Sequence, residues 1–428
     1  MTDSITITPA PGPLNATVTP PGSKSITNRA LVCAALADGT STLTGALVSD
    51  DTRVMIDSLN RLGIVVEESA DGTTLVVTGA GGNVPADAAE LFIGNSGTTI
   101  RFLTALVALG HGTYRLDGVP RMRERPIGDL VEALVQLGVD AQCQSPGGCP
   151  PVLVHGTGLP GGRATVRGNI SSQYLSGLLM AMPTAAGEVE IAIDGQLVSQ
   201  PYVRMTLEVM KSFGTTIDAA DDLSLFRSPG GTPYQAREYA IEPDASAASY
   251  FWAAAAIAGG SATVSGLSTN SLQGDVAVVD LLEHMGCEVD RQAESICVTG
   301  GKLQGISVDM NAVSDMVQTV AAVALFAEGP TEITGVAHNR HKETDRIGAL
   351  ATELRKLGAE VEELADGLRI TPKSLKPAVI ETYDDHRMAM SLALVGLRLP
   401  GVEILDPRCT AKTYPNYFQD LCRAAGTA

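Results

Sequence analysis

Residues 341–346 read HKETDR, which sets a histidine, two cations and two carboxylates in six consecutive positions. Cations at that spacing can hold an anion, and a carboxylate between them can carry a proton to or from it. A solvated helix start would produce the same run, so the rest of the chain has to decide. With 48 Asp and Glu against 30 Lys and Arg, the formal net charge is −18. That argues against nucleic acid and anionic membrane as partners but not against a small anionic ligand, because a site is set by local charge.

The basic residues gather in the loops that precede helices: Lys24, Arg29, Arg101, Arg121, Arg123, Arg125, Arg340, Lys342, Arg346, Arg387, Arg408 and Lys412. Helix N-termini present unpaired N–H groups and a positive dipole end, and are anion sites by construction. One such residue is explained by a surface ion pair; six similar loops are not. "GSKSITNR" and "NISSQY" add hydroxyls beside a cation or a glutamine, the donors a phosphate needs, although helix capping accounts for any single serine equally well. "GNSGTTIR" puts Gly94 and Gly97 where backbone can approach a ligand closely. It has neither the spacing of a P-loop nor that of a dinucleotide fingerprint. No motif implies a nucleotide cofactor, and no cluster implies a metal. His341 and His386 could each be ligands, but a hydrogen-bonded structural role explains them more simply.

The elements that must position these loops form a repeat. One segment type is a Gly-led strand, a polar loop, an amphipathic helix ending near Leu-Gly, then two strands. "GTYRLDGVPRMRERPIGDLVEALVQLGVDA" and "GPTEITGVAHNRHKETDRIGALATELRKLGAEV" are clear copies among six, the last cut short by the end of the chain. Between them lie six polar turns, each followed by a helix of small apolar residues: "GSKSITNRALVCAAL", "GNSGTTIRFLTALVAL", "NISSQYLSGLLMAM", "DASAASYFWAAAAIA", "VSDMVQTVAAVALFA" and "DDHRMAMSLALVGL". Helices apolar on nearly every face belong inside. The period is roughly 70 residues, so each unit is a small subdomain. Six units divide into two α/β lobes of three, with crossings at the prolines near 20–22 and 241–244. The expected domains are 22–241, and 1–21 joined to 242–428, on a two-stranded hinge that can close over a ligand.

Seven cysteines, Cys33, Cys143, Cys149, Cys287, Cys297, Cys409 and Cys422, lack metal-like spacing and read as reduced thiols. The start "MTDSITITPAPGPL" has no signal-peptide pattern, and no stretch is long and apolar enough to span a bilayer. A soluble cytoplasmic protein is the expectation.

Together, "PGSKSITNRAL", "GNSGTTIR", "RMRERPIGDLVEAL", "SSQYLSGLLM", "LVSQPYV", "KETDRI", "DDHRMAMSLAL" and "DPRCTAKTYPNYF" resemble the 3-phosphoshikimate 1-carboxyvinyltransferase (EPSP synthase) family, in order and over essentially the whole chain. The resemblance implies an α/β (inverted barrel) fold of two lobes, each of three βαβαββ units around buried helices, closing like a clamshell. It implies transfer of the carboxyvinyl group of phosphoenolpyruvate to the 5-hydroxyl of shikimate 3-phosphate by addition and elimination. No cofactor or metal, a monomer and inhibition by glyphosate are also implied.

Carried over by position, the resemblance assigns Lys24, Ser25, Arg29, Ser171, Ser172, Gln173, Ser199, Tyr202, Asp315 and Lys342 to shikimate 3-phosphate. Lys24, Gly97, Arg125, Gln173, Arg346, Arg387 and Lys412 go to phosphoenolpyruvate, with Asn95, Thr98 and Arg101 shaping that loop. Asp315 matches the proton acceptor on the sugar side and Glu343 the proton donor, with Lys24 joining them in catalysis. In HKETDR, Lys342 and Glu343 then face different partners, and Arg346 lies a turn later on the helix; Asp345 is either a helix-start charge or an orienter of Arg346. Three positions depart from the commonest pattern. His338 stands for an asparagine that touches the sugar phosphate, Ser96 for an alanine and Phe102 for a proline. The transferase acting on UDP-N-acetylglucosamine shares the architecture, but typically carries Lys-Asn near its start and a reactive cysteine in the first lobe. Here the start is Lys24-Ser25, and no cysteine lies between Cys33 and Cys143. A non-catalytic anion-binding protein of the same fold would be expected to lose Asp315 and Glu343.

Overall fold

The computed structural model describes residues 4–427. The chain forms two compact units, one of residues 22–241 and one of residues 1–21 with 242–428. Among the described residues each unit holds three sheets. In each sheet a parallel strand pair is extended by an antiparallel partner, and a parallel pair needs a crossover between its strands. Four of the six apolar helices are those crossovers, and the other two lead into strands whose parallel partners come from far away in the sequence.

In the unit 22–241, the helix Gly97–Val107 links the parallel strands Ala88–Phe92 and Thr113–Asp117. The helix Ser172–Ala181 likewise links Gly162–Arg167 to Val189–Asp194. The third helix, Lys24–Leu36, leads into the strand Ala37–Thr44, whose parallel partner Glu238–Ala240 comes from the other end of the unit. That pairing ties the unit's two ends together. Every residue from Ile26 to Leu36 is buried, as the absence of a polar face in ALVCAAL requires. The more amphipathic helices Asp50–Arg61, Gly128–Gln136 and Gln200–Ser212 bury one face only.

The other unit repeats the plan, with its first repeat split in sequence. Leu14–Val18 pairs in parallel with Gly260–Val264, so one strand precedes residue 22 and its neighbour follows residue 241. The helix Ala245–Ala258 leads into that second strand; its alanines let Trp252 sink fully among them, with the indole N–H donating to the Ile296 carbonyl at 3.1 Å. Val317–Ala324 and His386–Gly396 are the two other buried helices. The last repeat ends before its hairpin, and Ser4–Thr6 pairs antiparallel with Glu403–Leu405 to complete a three-stranded sheet. Among the described residues no disulfide is present, and no helix is long and apolar enough to cross a membrane.

Candidate functional site

Two clusters of charge occupy the helix starts, one in each unit. In the unit 22–241 the starts are capped by serines: Ser23 accepts from Ile26 N, Ser96 from Thr99 N and Ser171 from Gln173 N. Capping uses the hydroxyl as acceptor and leaves its proton to donate, so Ser171 can cap and still serve an anion. Ser25 and Ser172 are one position or more inside their helices and cap nothing. Ser199 is buried, with a left-handed backbone (φ 52°) just before the helix that carries Tyr202.

Lys24 begins its helix and lies 3.2 Å from Asp51, a carboxylate that the sequence did not single out. Arg29, four residues on, is 2% exposed. Its guanidinium donates to Thr206 Oγ1 (2.7 Å), to the Ser25 carbonyl (2.9 Å) and to the Tyr202 carbonyl (3.2 Å). It also lies 5.1 Å from the Phe102 ring centroid. Burial brings its pKa down to about 10, which leaves it charged at neutral pH. Arg29 therefore ties the backbone of Ser25 to that of Tyr202, and the unusual Phe102 supplies the face on which it rests.

The phosphoenolpyruvate loop of the resemblance is built around two further arginines. Arg125 donates to the Asn95 carbonyl (2.9 Å) and side chain (3.1 Å). Arg101 donates to the Gly97 carbonyl (3.2 Å), to Gln173 Oε1 (2.8 Å) and to the Pro126 carbonyl (3.2 Å). Gln173 in turn donates to Thr98 Oγ1 at 3.2 Å. Arg101 is thus a buttress that orients Gln173. Gly97 is hemmed in by both cations: a Cβ there would fall 2.4 Å from Arg125 Nη2 and 2.6 Å from Arg101 Nη1. Ser96, another of the three unusual positions, caps the helix that Gly97 begins.

In the second unit four cations interleave with three carboxylates. Asp315 sits in the short 3-10 turn Asn311–Met316. It accepts from Arg387 at 2.9 Å and Arg346 at 3.1 Å, with Lys342 at 3.5 Å. Glu343 lies 3.0 Å from Arg346 and 3.2 Å from Lys412. Arg346 is 2% exposed and donates to both oxygens of the buried Asp385, at 2.8 and 3.2 Å. Arg387 also donates to Ser246 Oγ (3.2 Å), whose hydroxyl bonds Asp275. Burial alone would raise the pKa of Asp315, but Arg387, Lys342 and Arg346 outweigh it and hold the carboxyl well below its usual range. Burial lowers the pKa of Lys342, with Asp315 opposing.

The helix starts at Arg346, so Lys342 and Glu343 are on the turn ahead of it rather than one helical turn away. Asp345 is the N-cap: its carboxylate accepts from the N–H groups of Ile347 and Gly348, both at 3.1 Å, and from Arg340 at 2.9 Å. The orienter of Arg346 is Asp385, whose place in DDHR gives it a second task as N-cap of the His386–Gly396 helix. His386 is buried at the start of that helix, 3.9 Å from Asp385, and His341 is exposed. Among the described residues no group of three or more His, Cys, Asp or Glu side chains is placed to hold a metal ion.

His338 is buried in the 3-10 turn that precedes Lys342. Burial, then Lys342, pulls its pKa down to about 3, with Asp315 opposing, so it stays neutral. The unfolded chain takes up a proton near 6.5 and the folded one near 3. Stability from this residue is therefore complete above pH 6.5 and falls as pH drops toward 3. Between pH 7 and 5 the loss comes to roughly 1–2 kcal/mol. His338→Asn removes that slope: denaturation midpoints at the two pH values should show the variant gaining on the wild type at pH 5.

The sequence profile of EPSP synthase (3-phosphoshikimate 1-carboxyvinyltransferase) matches residues 9–421. A protein named 3-phosphoshikimate 1-carboxyvinyltransferase from Nostoc sp. strain PCC 7120 is 50% identical over 97% of this chain and 98% of its own length. One of the same name from Erwinia tasmaniensis is 48% identical over the full length of both. The chloroplastic protein of Arabidopsis thaliana is 50% identical over 94% of this chain and 81% of its own. Among solved structures, an EPSP synthase from Acinetobacter baumannii superposes with a TM-score of 0.82 at 26% identity, over 98% of this chain and 97% of that one. The enolpyruvyl transferase NikO of Streptomyces tendae shares the fold, with a TM-score of 0.77 at 18% identity over 99% of this chain and 98% of its own. Loops built on apolar crossover helices, the cation–carboxylate network around Asp315 and Glu343, and full-length likeness to these proteins all point one way: the chain belongs to the EPSP synthase (3-phosphoshikimate 1-carboxyvinyltransferase) family.

Proposed function

We propose that this protein transfers the enolpyruvyl group of phosphoenolpyruvate to the 5-hydroxyl of shikimate 3-phosphate and releases phosphate. The observation that carries the reading is the network in which Asp315 and Glu343 each bridge two or more cations. Both substrates are anions. A phosphate and carboxylate arriving at Arg346, Arg387 and Lys412 compete with Asp315 and Glu343 for the same donors. Each cation given up to substrate makes the carboxylate it leaves more basic.

Glu343, relieved of part of its neutralisation, is the group that protonates C3 of phosphoenolpyruvate. Asp315 takes the proton of the 5-hydroxyl as its oxygen attacks C2. The tetrahedral adduct then returns a methyl proton to the Glu343 carboxylate and expels phosphate, which takes the proton held by Asp315, with Arg346, Arg387 and Lys412 steadying the leaving group. Lys24, Ser171, Ser172, Gln173 and Ser199 supply donors for shikimate 3-phosphate, and Tyr202 and Arg29 hold that surface in shape. Gly97, Asn95, Thr98 and Arg101 shape the loop against which Arg125 is set for phosphoenolpyruvate. Glyphosate, a small anion, would compete there. We expect the protein to act as a cytoplasmic monomer without a cofactor.

The test is phosphate release from phosphoenolpyruvate with shikimate 3-phosphate or UDP-N-acetylglucosamine as acceptor. Release that requires shikimate 3-phosphate supports the reading. Release only with the nucleotide sugar replaces it with the sister activity, and release with neither, from folded protein that binds both anions, replaces it with a binding protein.

A further inference from the structure

The 381–385 turn carries a feature that the proposed chemistry leaves unused. Tyr383 and Asp384 both have left-handed backbone, φ 56° and 55°, and neither is glycine. Such a conformation is disfavoured for an L side chain and persists where surrounding contacts over-determine it. The contact here is Glu353, seven residues along the helix from Arg346. It is 0% exposed. A carboxylate so deep requires donors on its oxygens, and Glu353 has three: the Tyr383 hydroxyl at 2.7 Å, the Glu381 N–H at 3.1 Å and Lys356 at 2.8 Å. Two of the three belong to the turn.

The same helix meets the same turn at a second place. Arg346, its first residue, is gripped by Asp385, the residue that follows the two left-handed positions. Helix and turn are thus pinned at two points. The Glu353 end fixes the turn, and the turn fixes the direction of the Asp385 carboxylate. Burial and then Glu353 push the Tyr383 hydroxyl above its ordinary range, so it remains a donor at any working pH.

We propose that Tyr383 and Glu353 are positioning residues for the anion site: their hydrogen bond holds the 381–385 turn in its left-handed form and so aims Asp385, and through it the Arg346 guanidinium. Neither residue touches substrate. The inference rests on the assignment of Arg346 to phosphoenolpyruvate made above.

The experiment is steady-state kinetics on Tyr383→Phe and Glu353→Gln, with thermal stability measured alongside. Tyr383→Phe keeps the ring and removes the one donor. Its KM for phosphoenolpyruvate should rise about tenfold, the equivalent of one buried hydrogen bond, while the KM for shikimate 3-phosphate stays within about twofold. Adding Asp384→Gly to Tyr383→Phe should recover most of the loss, because glycine takes a left-handed φ without help; Asp384→Gly alone is the reference. Arg346→Lys separates the two levels of the argument. If it raises the KM for phosphoenolpyruvate while Tyr383→Phe does not, or if Tyr383→Phe moves both KM values together or only the melting temperature, the positioning role is overturned. If Arg346→Lys leaves the KM for phosphoenolpyruvate unchanged, the assignment of Arg346 fails, and the inference falls with it.

Discussion

Glu343→Gln should lower kcat by about two to four orders of magnitude while leaving phosphoenolpyruvate bound at least as tightly as before. The substitution keeps the shape of the side chain and removes the proton it would donate. It also removes a negative charge 3.0 Å from Arg346 and 3.2 Å from Lys412, so an incoming anion meets less competition for those two cations. A purely binding role for Glu343 predicts a change in KM with kcat preserved, and a structural role predicts loss of both. Arg346 does not go astray in the variant, because Asp385 still holds it at 2.8 and 3.2 Å. Asp315→Asn should behave in the same way on the acceptor side. Its effect also falls on kcat, and Arg346, Arg387 and Lys342 lose the carboxylate they share. Single-turnover measurements would separate binding from chemistry in both variants.

Gly97→Ala should raise the KM for phosphoenolpyruvate roughly ten- to hundredfold, equal to one or two charge-assisted hydrogen bonds made poorly. The added methyl carbon would lie 2.4 Å from Arg125 Nη2 and 2.6 Å from Arg101 Nη1, closer than non-bonded atoms tolerate. Both guanidinium groups are ends of flexible side chains, so the fold adjusts and the melting temperature changes little. The cost falls on function: Arg125 leaves the position that Asn95 sets for it, and Arg101 shifts away from Gln173. Glyphosate should lose affinity along with phosphoenolpyruvate. The backbone at Gly97 is helical, so strain in the alanine itself is not the reason. Unchanged kinetics with a lowered melting temperature would contradict this reading of the loop.

The buried helices were legible because burial on all sides leaves a compositional mark: VQTVAAVALFA and ASAASYFWAAAAIA have no face for water. The repeat was legible for the same reason, since each copy restates the alternation of an apolar and an amphipathic helix. The repeat joined residues 1–21 to 242–428, but the particular pairing of Leu14–Val18 with Gly260–Val264 could not be read from pattern, because strand partners so far apart in sequence carry no local signal. The cations of the site were visible as charge at helix starts. Their supports were not. Asp51 beside Lys24, Asp385 beside Arg346 and Ser246 beside Arg387 are ordinary N-terminal or turn residues in sequence and acquire their role only in three dimensions. Of the two roles the sequence offered Asp345, helix-start charge and orienter of Arg346, the structure takes the first: a residue at N-cap faces its own backbone N–H groups, and Arg346 turns to a carboxylate 39 residues away.

The most direct test is the reaction run in deuterium oxide. Addition followed by elimination passes through an adduct whose former C3 is a methyl group carrying one solvent-derived hydrogen. Loss of any one of its three hydrogens then leaves deuterium on the vinyl carbon of part of the product. Mass spectrometry of the product made by the wild-type protein from phosphoenolpyruvate and shikimate 3-phosphate should show that label, and the product of the residual Glu343→Gln turnover should carry it too, formed at a rate lowered with kcat. Phosphate released at the normal rate into a product whose vinyl carbon holds no deuterium would mean that no methyl adduct forms, and Glu343 could not be the proton donor.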